Sequence, residues 1–319
     1  MENICVLDGY TLNPGDLSWS EIECFGDLTV YDRTSAEEVF AAAQDATIIL
    51  TNKAIVNSST IKKLPNLKLI SVLATGYNIV DIQAAKENNI SVCNVPGYSS
   101  MSVAQQVISM ILDHTNNISS YSNSVKNDKW VDSKDFTFIQ EPLIELADLT
   151  LGVIGYGDIA KKVITIAISF GLKVIVHTRT VPTEKLEQIS FVGKDQLFHE
   201  SDFISLNCPW NDQTNEIINK NSISQMKDNC FIVNTGRGQL INEDDLANAL
   251  NNNAIAGASL DVLSQEPPKR DNPLLKAKNI TITPHIAWST IAARKRLMTQ
   301  TGKNIKAFIE GNPINVVNS

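Results

Sequence analysis

An α/β fold of two domains built on parallel sheets is the architecture that the 319-residue sequence predicts. Three observations carry the prediction. Strand-like and helix-like stretches alternate from one end to the other, the pattern of parallel strands joined by helical crossovers. The chain is long enough to bury two separate cores. A glycine-rich turn follows a buried-strand run at residues 151–160, almost halfway along, so a sizeable block of protein precedes it.

In the first segment, strands are expected at residues 4–8, 28–31, 47–50, 69–72 and 91–93, with helices between them. One long helix is expected over 99–121, after the Pro96-Gly97 break. A polar insertion over 123–141 follows and contains Trp130, Phe136 and Phe138. The second segment offers six strands, at 150–154, 173–177, 203–206, 231–234, 257–262 and 280–283, the number that a dinucleotide-binding sheet requires. A last helix over 290–310 is expected to leave that sheet and return to the first segment. The chain would cross between domains near Gly97 and Ile286, which suits a hinged cleft.

Composition narrows the class. Hydrophobic residues make up 43% and charged residues 19%, as in ordinary globular proteins. A net charge of −8 argues against nucleic acid or an anionic membrane as the main partner. It leaves room for a small anionic substrate held by a few local cations. Met1 leads directly into strand-like Ile4-Cys5-Val6-Leu7, so no secretory leader is expected, and no apolar run has the length of a membrane span. Cys5, Cys24, Cys93, Cys208 and Cys230 show neither close pairing nor neighbouring histidines. A cytoplasmic protein without a metal site is expected.

The turn at 155–160 reads as a phosphate cradle. Gly155 permits the bend out of the strand, and Gly157 lets the backbone approach a pyrophosphate. The N–H groups of Asp158 and Ile159 then face the phosphates from a helix N-terminus. Ala160 takes the third glycine's place, which close packing tolerates. An amphipathic helix, Gly171 and the strand 173–177 complete a βαβ unit of Rossmann type. At the end of that second strand, an acid would receive the ribose hydroxyls of NAD. Here His177-Thr178-Arg179-Thr180 offers a planar cation and hydroxyls instead, which leans towards NADPH over NADH.

Chemistry gathers at three further strand ends. Arg237 follows the strand 231–234, Glu266 the strand 257–262, and His285 the strand 280–283. Ligands in open α/β sheets sit beyond these carboxyl ends. Beside a nicotinamide site, a cation, an acid and an imidazole suit the reduction of a 2-oxo acid. Arg237 can hold the carboxylate and polarise the carbonyl. His285 can deliver the proton, and Glu266 on its other nitrogen would fix the ring and favour the protonated form. In the first segment, Ala74-Thr75-Gly76 follows the strand 69–72, where successive N–H groups can form an anion nest.

These motifs resemble those of the D-isomer-specific 2-hydroxyacid dehydrogenases, and most of all the glycerate dehydrogenase and hydroxypyruvate reductase branch of that family. The similarity runs from Leu7-Asp8-Gly9-Tyr10 to Asn315-Val316-Val317-Asn318. It includes Ala74-Thr75-Gly76-Tyr77-Asn78, Ser102-Val103-Ala104-Gln105, Gly236-Arg237-Gly238 and Pro284-His285-Ile286-Ala287-Trp288. The resemblance implies a dinucleotide-binding Rossmann domain over 98–286, inserted into a flavodoxin-like substrate domain formed by 1–97 and 287–319. It implies Arg237, Glu266 and His285 as the catalytic set, and Ala74, Thr75 and Gly76 on the substrate carboxylate. Cys208, Pro209, Thr214, Thr235 and Gly236 would line the cofactor, with Asp261 on the nicotinamide carboxamide. A homodimer through the cofactor domain is implied as well. Thr178-Arg179 departs from the acid usual in NAD-specific relatives. The implied reaction is reversible reduction of hydroxypyruvate or glyoxylate to D-glycerate or glycolate. The alternatives are a D-3-phosphoglycerate dehydrogenase-like enzyme and a non-catalytic dinucleotide-sensing regulator on the same fold.

Overall fold

In the computed structural model, which describes residues 1–183 and 187–319, the chain divides into two compact units. One comprises Met1–Ser99 with Trp288–Ser319, the other Ser100–Ala287.

The first unit is a parallel sheet of β1 (Glu2–Val6), β2 (Gly26–Val30), β3 (Ile48–Thr51), β4 (Leu69–Val72) and β5 (Ser91–Cys93), in the order β2-β1-β3-β4-β5. This is the flavodoxin-like order. All four residues of β3 and of β4 are buried, so these strands read as largely apolar runs, with Thr51 and Ser71 as their polar members, rather than alternating ones. Period-two alternation instead sorts the side chains onto two faces. Cys5, Ile49, Ile70 and Val92 meet Val39, Ala43, Ile61 and Ala85 from the short helices on one side. Ile4, Val6, Leu50 and Leu69 meet Leu297, Met298 and Ile305 of the helix Ile291–Ile309 on the other. Arg294 of that helix is almost fully buried and grips Asp16 with two hydrogen bonds, at 2.7 and 2.6 Å. The guanidinium holds the Asp16 carboxyl below its ordinary range.

The second unit has seven parallel strands. They are β6 (Thr150–Ile154), β7 (Lys173–His177), β8 (Ile189–Phe191), β9 (Phe203–Leu206), β10 (Phe231–Asn234), β11 (Gly257–Leu260) and β12 (Ile280–Ile282). Their order, β12-β11-β10-β9-β6-β7-β8, is the Rossmann arrangement with β12 appended, and its direction reverses between β6 and β9. Helices Ser100–Asn116 and Asp158–Ser169 cover Val153, Val176 and Val233 on one face. Helices Lys194–Glu200 and Glu243–Asn251 cover Ile204, Ile232 and Leu260 on the other. At the amino end of the sheet, buried Asp202 ties β6 to the turn before β10. It accepts from Thr150 N–H at 2.9 Å and Lys227 Nζ at 2.9 Å. Burial opposes its ionisation, but those donors and Asn229 outweigh it and hold the carboxyl below its ordinary range.

Three expectations need correction. The seventh strand, β8, is only three residues long and lies at the sheet edge, too short for periodicity to reveal. The long helix is two, because Asn117 adopts a left-handed conformation with φ 51°. Ser100–Asn116 buries an apolar stripe, whereas Ile118–Lys126 buries no residue. Finally, β11 ends at Leu260 rather than at residue 262, because Asp261 turns away to serve the loop described below.

Candidate active site

The glycine turn is shaped by the chain at one position and left open at another. Gly155 leaves β6 with φ 100°, and a Cβ there would lie 2.5 Å from the Asn207 carbonyl oxygen. No other residue fits where β6 and β9 diverge. Gly157 is different. It caps the helix Asp158–Ser169 with extended backbone, and a Cβ on it would meet no atom of the described residues within 4 Å. The space above it is therefore free for a phosphate, and the first helical N–H groups have no partner in the helix. Ala160 is fully buried, so a small residue rather than glycine suffices there. These features fit a dinucleotide.

Around the turn, Gly155 N–H donates to the His177 carbonyl at 2.8 Å. Thr178 follows half-buried, and Arg179 is exposed and forms no ion pair among the described residues. After β9, burial pushes the Cys208 thiol up to about 11, so it stays protonated and offers a neutral wall. The Thr214 hydroxyl donates to the Pro209 carbonyl at 2.7 Å and accepts from Asn211 N–H at 2.9 Å. It closes the loop that presents Cys208 and Pro209.

Arg237 is aimed by a residue that the sequence marks only as a strand end. Asn234, fully buried, accepts from Gly236 N–H at 3.0 Å and donates from Nδ2 to the Arg237 carbonyl at 2.9 Å. This local amide clasp, a habit of asparagine in turns, leaves the guanidinium exposed. Gly238 then presses directly on the neighbouring loop: a Cβ there would sit 1.9 Å from the Leu263 carbonyl carbon. The Arg237 loop and the Glu266 loop are thereby packed backbone against backbone.

Glu266 Oε2 lies 2.7 Å from His285 Nδ1, and its Oε1 accepts from Leu263 N–H at 3.1 Å. An ionised Glu266 requires the proton on Nδ1, which turns Nε2 towards any reacting group. His285 itself stands in the left-handed region, with φ 54°. Asp261 holds that turn. Its carboxylate, 1% exposed, accepts from Thr283 Oγ1 at 2.5 Å, Ile286 N–H at 2.9 Å and Ala287 N–H at 2.8 Å. Its carbonyl accepts from His285 N–H at 2.8 Å. Asp261, the residue expected beside a nicotinamide carboxamide, thus takes at its buried carboxylate the donors that the His285 turn supplies.

In the first unit, the loop after β4 is fixed by its acceptors. The Ala74 carbonyl takes Val95 N–H, the Thr75 carbonyl takes Asn94 Nδ2 at 2.7 Å, and the Thr75 hydroxyl donates to the Val95 carbonyl at 3.0 Å. Among the described residues, the N–H groups of Ala74, Thr75 and Gly76 have no acceptor, as an anion nest requires.

The model of the D-isomer specific 2-hydroxyacid dehydrogenase NAD binding domain matches residues 108–287, so the second unit is an NAD(P)-binding domain. A hydroxypyruvate reductase of Blautia hydrogenotrophica is 45% identical over 319 residues, covering 99% of each chain. A glycerate dehydrogenase of Methylorubrum extorquens is 36% identical over 290 residues, covering 90% of each. Among solved structures, an acyclic imino acid reductase in complex with NADPH and D-Arg superposes with a TM-score of 0.85 at 30% identity, covering 99% of this chain and all of that one. With the βαβ cradle and the Arg-Glu-His strand ends in place, this chain belongs to the D-isomer specific 2-hydroxyacid dehydrogenase family.

Proposed function

We propose that this dehydrogenase acts on hydroxypyruvate or glyoxylate, reducing it reversibly to D-glycerate or glycolate, with NADPH preferred to NADH. The observation that carries the chemistry is the 2.7 Å pair of Glu266 and His285 beside the Arg237 loop. The full-length likeness to a hydroxypyruvate reductase supports the substrate. The bound dinucleotide supplies the hydride, and the rest falls to the chain. Arg237 forks onto the substrate carboxylate and draws electron density from the carbonyl, and the N–H groups of Ala74, Thr75 and Gly76 are donors of the kind that bind a carboxylate. Protonated His285 gives its Nε2 proton to the developing alkoxide. Glu266 stabilises the imidazolium and keeps the ring oriented. In the reverse direction neutral Nε2 takes the hydroxyl proton.

The cofactor preference rests on Thr178 and Arg179, and the NADPH held by the imino acid reductase structure supports it. Nicotinamide absorbance with hydroxypyruvate, glyoxylate, pyruvate and 3-phosphohydroxypyruvate tests both proposals together. Turnover confined to the phosphorylated acid would overturn the substrate assignment. Arg179→Asp is expected to lower the NADPH-to-NADH ratio of kcat/KM by about 10–100-fold, the value of one charge-assisted phosphate contact. An unchanged ratio would show that Arg179 does not read the 2′-phosphate.

The protein is also proposed to be a cytoplasmic homodimer. All five cysteines are free thiols, as a reducing compartment would keep them. The segment after the helix Ile118–Lys126 exposes Trp130 by 51%, Val131 by 79%, Phe136 by 90% and Ile139 by 77%, more apolar surface than one short stretch of a monomer usually shows. Sedimentation velocity is expected to give twice the chain mass, and Phe136→Asp with Ile139→Asp to give the monomer. A monomeric wild type would sink the dimer.

A further inference from the structure

The loop that carries Glu266 has no apolar anchor of its own. Residues 264–271 are all exposed, so burial cannot fix the position of Glu266. Polar contacts at the two ends of the loop do so instead, and both converge on Glu243. Ser264 N–H donates to one Glu243 oxygen and Asn272 Nδ2 to the other, each at 2.7 Å. Gln239, two residues from Arg237, donates from Nε2 to the Ser264 carbonyl at 2.9 Å. Gln239 is itself anchored, its carbonyl accepting from Glu216 N–H at 2.9 Å.

A simpler role for Glu243 would be to complement the dipole of the helix Glu243–Asn251, whose first residue it is. Asp244 and Asp245 already stand in that first turn, and Asn242 caps it by accepting from Asp245 N–H. Both Glu243 oxygens are turned to the loop. Two strong, charge-assisted hydrogen bonds from Glu243 locate the two ends of this exposed segment, and Glu266 lies between them.

We propose that Glu243, seconded by Gln239, is a positioning residue that holds the 264–272 loop so that Glu266 stays on Nδ1 of His285. The catalytic consequence rests on the function proposed above; the contact does not. Neither residue touches the reacting atoms. They act through the 2.7 Å bond from Glu266 to the imidazole, which selects the Nδ1–H form of the neutral ring and frees Nε2.

The test reads the imidazole nitrogens of 15N-histidine-labelled protein, without substrate or nucleotide. The chain has four histidines, and the His285 signals are those lost in His285→Ala. In the wild type the neutral ring is expected as the Nδ1–H tautomer. Glu243→Ala is expected to shift it towards Nε2–H, part of the way to Glu266→Gln. Glu243→Gln, which keeps an acceptor for Ser264 N–H, falls between wild type and alanine. In turnover, Glu243→Ala lowers kcat by about 10–100-fold with nucleotide affinity unchanged, the scale of a small misplacement of reacting groups. Wild-type nitrogen shifts in folded Glu243→Ala would overturn the proposal. So would a loss of kcat matched by an equal loss of nucleotide binding. Should the alanine variant not fold, Gln239→Leu and Asn272→Ala carry the same readout. A wild type that reduces no 2-oxo acid would sink the substrate assignment and leave the nitrogen shifts to decide this one.

Discussion

Replacing His285 by alanine is expected to lower kcat for 2-oxo acid reduction by about 10²–10⁴-fold, the span that a positioned proton donor contributes. The dinucleotide cradle does not involve the imidazole, since Gly155, Gly157 and the helix Asp158–Ser169 form it after β6, which three strands separate from β12. Nucleotide affinity, followed by nicotinamide fluorescence, therefore stays at the wild-type value. Arg237→Ala behaves alike for a different reason. It would remove the proposed fork for the carboxylate and the polarising charge, and is expected to cost about 10²–10³-fold. Restoring small amines or imidazole to the buffer is a useful control, because a rescued His285→Ala rate points to lost proton delivery rather than to a disturbed fold. Wild-type turnover in either variant would remove the residue from the catalytic set.

The second large effect concerns a single methyl group. Gly238→Ala places a Cβ 1.9 Å from the Leu263 carbonyl carbon and 2.2 Å from Ser264 N. Those neighbours are backbone atoms, which cannot rotate aside as a side-chain tip would. Overpacking of this kind costs about 1–3 kcal/mol or more, and the strain enters between the loops of Arg237 and Glu266. The variant is expected to melt several degrees lower and to lose most of its turnover even where it stays folded. Gly157→Ala is the contrast. Its Cβ meets no atom of the described residues, so stability is retained while dinucleotide binding weakens. Equal melting temperatures for wild type and Gly238→Ala would mean that the two loops are not in contact in solution.

Much of the site was legible because it rests on local patterns. The turn at Gly155–Gly157 follows from an apolar strand, two glycines and a helix, all within one βαβ unit. Arg237, Glu266 and His285 each stand just beyond a strand, where a parallel sheet must place its loops. The left-handed residues were harder. His285, with φ 54°, is not a glycine, and nothing in its own sequence announces the turn. Its conformation is held by Asp261, twenty-four positions earlier in the chain. The break at Asn117 had a signal in retrospect, since asparagine tolerates the left-handed region, but the apolar periodicity ran on through it.

By itself, then, the sequence determined the parallel α/β architecture, the glycine turn and the strand-end positions of the three groups proposed for the chemistry. These follow from periodicity, glycine placement and strand-end position, which act over a few residues. Only the tertiary structure decided which residues hold those groups in place. Asn234 clasps the Arg237 loop, Asp261 grips the His285 turn, Gly238 admits the Leu263 backbone, and Glu243 holds a loop twenty-one residues away. Apart from the local Asn234 clasp, each of these contacts joins separate elements. Whether a buried amide or carboxylate finds its donors depends on how strands align side by side, and that is settled only when the sheet and its covering helices have packed.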